Sequence, residues 1–180
     1  MADFNIFFPI LMEQEGYYAN DPQDSGGETW RGISRKNYPR WEGWPIVDNY
    51  KESPVFPKNM RSDKGLEEMV KKFYKVSQWD TLRGDEIANQ SIANFIADWA
   101  VNAGRSVPVK HAQEILGVQQ YGILGQQTLA AINSTDGPDF FKKLKAAREQ
   151  FYFDVVAAHP QNKKFLSNWL ERNASFEYTA

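Results

Sequence analysis

The chain has no cysteine, and its two histidines, His111 and His159, lie far apart. Thiol nucleophiles, thiolate metal sites and disulfides are thereby excluded, and no HExxH-type spacing exists. A Ser–His–Asp triad stays open, but nothing like GxSxG supports one. Carboxylates are left as the groups best suited to chemistry, and Glu15 is the most informative of them. Phe4, Phe8, Leu11 and Glu15 share one face of a helix expected over residues 5–15. A carboxyl at the end of an apolar face is partly desolvated, which favours its protonated form and raises its pKa. The negative end of the helix dipole pushes the same way. Such an acid can hand a proton to a leaving oxygen, as glycoside hydrolysis requires. From periodicity alone, a surface carboxyl on a fraying helix end is an equally open reading.

The stretch after Glu15 is rich in oxygen-bearing side chains: Asp21, Asp24, Glu28 and Thr29, beside Gly16, Gly26 and Gly27. Asp24 is the first choice for a second carboxylate, with Asp21 and Glu28 behind it, and Thr29 is a candidate for positioning a water. Turn chemistry is the plainer account of the same residues. The spacing does not fit a DxDxDG calcium loop, and neither a metal nor a cofactor is expected. Tyr18, Trp30, Trp41 and Trp44 are candidate sugar platforms, although core packing is the commoner fate of large aromatics. Arg31 is expected to pair with a neighbouring Glu.

These residues must be positioned by a mainly helical protein. Gly16 stops the first helix, and Pro9 fits best in its opening turn. Residues 16–34 read as an irregular loop or short hairpin, and 36–60 as irregular structure pinned by aromatics. Helical periodicity returns over 64–79, then strongly over 86–103, where Ala88, Ile92, Phe95, Ile96, Trp99 and Ala103 line one face. Asp98 and Asn102 sit together at the edge of that face. They line a cleft, or else form an interhelical hydrogen-bonded pair or a cap. Further helices are expected at 108–116, 126–133 and from Gly137-Pro138 to 158, with a last one carrying Phe165, Leu166, Trp169 and Leu170. A weak boundary near residues 80–86 divides the chain into 1–85 and 86–180, packed as one compact unit with two lobes.

Glu15-Gly16-Tyr17-Tyr18, Asn20-Asp21-Pro22, Asp24, Gly26-Gly27, Thr29 and Gly32-Ile33 resemble the opening motif of the bacterial and phage N-acetylmuramidases of glycoside hydrolase family 108. Asp98 to Gly104, Gly122 to Leu129, Arg148, Tyr152 and Phe165 to Arg172 are similar to the predicted peptidoglycan-binding region of the same proteins. The resemblance implies a lysozyme-like helical fold and hydrolysis of the β-1,4 bond between N-acetylmuramic acid and N-acetylglucosamine. It implies Glu15 as catalytic acid and peptidoglycan glycan strands as the partner. Tyr18, Trp30, Asp98 and Asn102, from the reading of the residues themselves, are the substrate-binding candidates. Three positions depart from the pattern: Tyr17 replaces a usual Gly, Tyr121 a common Asp and Gln126 a common Pro. A non-catalytic peptidoglycan-binding or secretion-accessory protein is the competing expectation.

The net charge is −2, with both signs interspersed, which argues against nucleic acid as a partner. No run of about 18 apolar residues exists, so membrane insertion is not expected. The opening residues lack a basic n-region. The expectation is synthesis in the cytoplasm without a signal peptide, export by a holin or secretion system, and action in the periplasm or wall.

Overall fold

Helix α1, Phe4–Gln14, forms where the apolar spacing predicts it, with Phe7 and Leu11 fully buried. A computed structural model describes residues 1–20 and 27–180. Pro9 falls in the second turn of α1, not its first, because the helix begins as early as Phe4. The proline ring there removes the N–H that would have bonded the Asn5 carbonyl.

The described chain separates into two units, one of Asn5–Ser77 and one of Met1–Phe4 with Gln78–Ala180. In the first unit, the stretch after α1 is a small antiparallel sheet: β1 (Tyr18–Asn20), β2 (Glu28–Trp30) and β3 (Ile33–Ser34), in that order. The register pairs Tyr18 with Trp30, Ala19 with Thr29 and Asn20 with Glu28, so Tyr18, Trp30 and Glu28 share one face and Thr29 the other. The 36–60 segment is more regular than its prolines suggest, since α2 (Trp44–Tyr50) opens with Pro45 in its first turn. Trp41 and Trp44 pack edge to face, with ring centres 5.1 Å apart, and both are buried. Neither therefore offers a ring face to a sugar.

Helix α3 (Lys64–Tyr74) is capped by Asp63, whose carboxylate accepts the Leu66 N–H at 2.9 Å and the Tyr50 hydroxyl at 2.7 Å. The Leu66 N–H first, then the Tyr50 hydroxyl, hold that carboxyl below the usual Asp range. The backbone then widens into a π-helical turn over Lys75–Trp79. That extra residue shifts the phase, so Val76, expected on the apolar face, is 58% exposed.

In the second unit, α4 (Gln90–Ala103) starts at an Asn89 cap, with Asn89 Oδ1 accepting the Ile92 N–H at 3.1 Å. Every residue from Ser91 to Ala100 is buried, so α4 is a central helix rather than one with a single apolar face. Ala88, expected on that face, precedes the helix and is exposed. Around it lie α5 (Ser106–Ile115), α6 (Gln126–Ser134), α7 (Gly137–Ala158) and α8 (Leu166–Ala174). Buried Gln113 of α5 holds the turn before α6. Its Nε2 donates to the Ile123 carbonyl and the Thr128 hydroxyl, and its Oε1 accepts the Gly122 N–H at 2.9 Å. No helix among the described residues is long and apolar enough to cross a membrane.

Candidate active site

Glu15 stands one residue beyond the end of α1, its N–H donating to the Leu11 carbonyl at 3.0 Å. The side chain is half-buried, and its carboxyl lies against Gly32 in the turn between β2 and β3. That turn has two residues, Arg31 and Gly32, joining the paired Trp30 and Ile33, and both have positive φ (48° and 77°). This is the backbone sense that lets two strands reverse without splaying. A Cβ on Gly32 would collide with Glu15 Oε2 and lie 2.6 Å from the Tyr74 hydroxyl. Only glycine meets both demands at this position.

Arg31 adopts a left-handed conformation unusual for its type, and its surroundings hold it there. Its N–H donates to the Tyr17 carbonyl at 2.7 Å, and its carbonyl accepts the buried Tyr74 hydroxyl at 2.7 Å. Its guanidinium pairs with Glu67 at 3.3 Å, the expected acidic partner type. It also stacks over the Tyr17 ring at 3.9 Å, and Arg61 lies 4.3 Å from the centre of the same ring. The tyrosine at the usual glycine position thus serves as a stacking plate for two arginines beside the acid.

The other candidates occupy different surroundings. Glu28, only 12% exposed in its side chain, is neutralised by Arg35 at 2.5 Å and Lys51 at 2.6 Å. The Tyr18 hydroxyl donates to it at 3.0 Å, and burial first, then Glu28, pushes the Tyr18 phenol above its ordinary range. Tyr18 and Glu28 are therefore brought together, with the Tyr18 ring edge-on to Phe56 at 4.7 Å. Thr29, half-buried, is on the opposite face of β2. Trp30 is 1% exposed and belongs to the core, so the expectation of a sugar-stacking face is corrected. Asp21 and Asp24 lie outside the described residues.

Asp98, expected at a cleft edge, is instead fully buried in the second unit, where it accepts hydrogen bonds from Arg148 at 2.8 Å and Arg172 at 2.6 Å. Burial on all sides of α4 is why it cannot reach a ligand. Asn102, one turn on, is exposed and donates to the Asp98 carbonyl at 2.9 Å. Among the described residues no cluster of His, Asp and Glu could hold a metal ion. Sequence reasoning named Gly32 only as part of the motif, not as a contact of Glu15, and missed Tyr74 and the Arg31 conformation. The available signal was Arg31-Gly32, a two-residue step ending in glycine between β-favouring Thr29-Trp30 and Ile33-Ser34, which reads as a tight hairpin.

The glycosyl hydrolase 108 family model matches residues 8–104, over half of the chain and including the whole Glu15 and Gly32 environment. The chain belongs to the glycosyl hydrolase 108 family. A second model, described as a predicted peptidoglycan domain, matches residues 107–174. The solved structure of Brucella abortus SagA is similar over 96% of this chain and 94% of that one, at 22% identity and a TM-score of 0.65. That likeness shows a shared fold, here mainly helical and lysozyme-like. Among curated proteins none matches. A glycosyl hydrolase 108 region followed by a peptidoglycan domain supports a peptidoglycan hydrolase with peptidoglycan as its partner, acting at the wall or in the periplasm.

Proposed function

We propose that this family 108 member is an N-acetylmuramidase that cleaves the β-1,4 bond between N-acetylmuramic acid and N-acetylglucosamine, with Glu15 as general acid. The observation that carries the reading is the half-buried Glu15 carboxyl resting on a glycine turn that leaves no room for another side chain. A glycosidase acid gives its proton to the leaving oxygen, and Glu15 is the carboxyl that the family motif assigns to that step. The hairpin fixes where that carboxyl points, so proton transfer needs little rearrangement.

The positive charge developing on the sugar ring needs a second group. Glu28 is committed to Arg35 and Lys51. Asp24 remains the proposed second carboxylate, ahead of Asp21, with Thr29 as the alternative that positions a water. The region 1–85 is proposed to carry the chemistry and 86–180 to hold the wall polymer, with the chain reaching the wall through a holin or a secretion system.

The test is digestion of purified peptidoglycan by the wild type and by Glu15→Gln. The wild type is expected to release new reducing ends terminating in muramic acid, and the folded mutant almost none. New amino termini without reducing ends would instead identify an amidase or peptidase, and binding without any cleavage a non-catalytic module.

A further inference from the structure

The second unit contains a cavity of about 240 Å³ that the proposed chemistry does not use, between the end of α4, the C-terminal half of α7 and the segment leading into α8. Its walls are Phe151, Tyr152, Val155 and Trp169, with the amides of Asn102 and Asn162 at its edge. The Trp169 ring is half-exposed and stacks on buried Tyr152, with centres 5.2 Å apart and planes 25° from parallel. The polar atoms around these rings are uncommitted. Asn102 Nδ2 is used by the Asp98 carbonyl, but among the described residues Asn102 Oδ1, the Asn162 amide and the Trp169 indole N–H have no partner.

We propose that this cavity binds one N-acetylated pyranose of the glycan strand and anchors the polymer away from the bond being cut. Three features select that ligand class. Aromatic rings flanked by neutral amides match a pyranose, which has an apolar face of C–H groups and an equator of hydroxyls. None of the residues lining the cavity is charged, so it suits a neutral sugar and leaves the carboxylates of a peptide stem without a cation. The volume lies below the roughly 300 Å³ at which drug-sized sites begin, which limits the occupant to about one ring.

Asp98 is linked to this cavity without touching a ligand. Its carbonyl fixes the Asn102 amide, and its carboxylate holds Arg148, whose Nε in turn donates to the Tyr152 hydroxyl at 2.7 Å. One wall of the cavity, Tyr152, is therefore tied through Arg148 to a buried side chain, and Asp98 is a positioning residue.

The proposal rests on peptidoglycan being the substrate, and its test is separable from that of Glu15. Binding to insoluble sacculi is measured by pelleting in a Glu15→Gln background, so that no cleavage intervenes. Trp169→Ala is expected to weaken binding about tenfold, the loss of one stacked ring. Ala103→Trp, which fills the cavity from its rim without removing a wall, is expected to do the same, with circular dichroism unchanged. In the cleaving enzyme both should raise the apparent KM on sacculi and leave kcat alone. A soluble N-acetylglucosamine tetramer should compete, and a free stem peptide should not. Wild-type binding by both variants, or competition by the peptide alone, overturns the assignment. Absence of new reducing ends from the wild type speaks against the muramidase reading and leaves the binding result standing.

Discussion

Glu15 and Glu28 are both carboxylates near the β2–β3 hairpin, yet their surroundings assign them different work. Glu28 sits between two cations and a phenol, and its charge is consumed in holding β1, Arg35 and the end of α2 together. A base for water has to have an oxygen to spare, and this one does not. Glu28→Gln should therefore lower stability by about 1–3 kcal/mol, because Arg35 and Lys51 lose a partly buried counter-charge. The rate per folded molecule should stay within a few-fold of wild type. A drop of ~10²-fold or more at unchanged folding, the scale of a lost general base, would return Glu28 to the reaction. Urea unfolding and reducing-end assays on the same samples separate the two effects. The sequence placed Glu28 close to Glu15 along the chain but carried no sign that Lys51, from the end of another helix, would reach it.

The hairpin and the caps decide how firmly the local elements hold those residues. Gly32→Ala would force a left-handed alanine, a cost of about 1–2 kcal/mol, and drive its methyl into the Glu15 carboxyl. Loss of activity together with reduced stability is expected. Gly16→Ala is the control, since a Cβ there meets nothing within 4 Å, and it should leave both unchanged. Equal activity in the two variants would mean that the carboxyl does not depend on the turn. Asp63, at the start of α3, gives a pH-dependent counterpart. Its pKa is held low in the fold by the Leu66 N–H and Tyr50, so its contribution is complete above the ordinary Asp range, ~3.9, and is lost as pH falls through the folded value. Asp63→Ala should cost about 1 kcal/mol near neutral pH, and the gap to wild type should close in acid, as read by thermal melts across pH. Sequence periodicity located α1, α3 and α4 because amphipathic spacing is a local property, and the Gly137-Pro138 start located α7. It did not reveal the π-turn at Lys75–Trp79, since one inserted residue in a turn leaves no compositional mark.

At the scale of the molecule, the two units differ in how they keep charge out of water. The Asn5–Ser77 unit shares its Glu28 charge with half-exposed partners, whereas the unit ending at Ala180 buries Asp98 completely between arginines of α7 and α8. Reading α4 as one-sided left Asp98 at an edge, and an interhelical pair was the alternative that fits its burial. The difference lies in how many neighbours surround the helix, which no local window records. Removing one partner of a buried ion cluster is far costlier than removing all of it. Asp98→Ala alone should lower stability by about 3–5 kcal/mol by stranding Arg148 and Arg172. Replacing the three together, Asp98→Leu with Arg148→Met and Arg172→Met, should recover most of that loss in thermal unfolding. The triple variant nonetheless lacks the Arg148 hold on the Tyr152 hydroxyl, so its pelleting with sacculi should remain weak after folding is restored. If binding returned in step with stability, the buried carboxylate would serve the fold alone, and Tyr152 would owe its placement to packing.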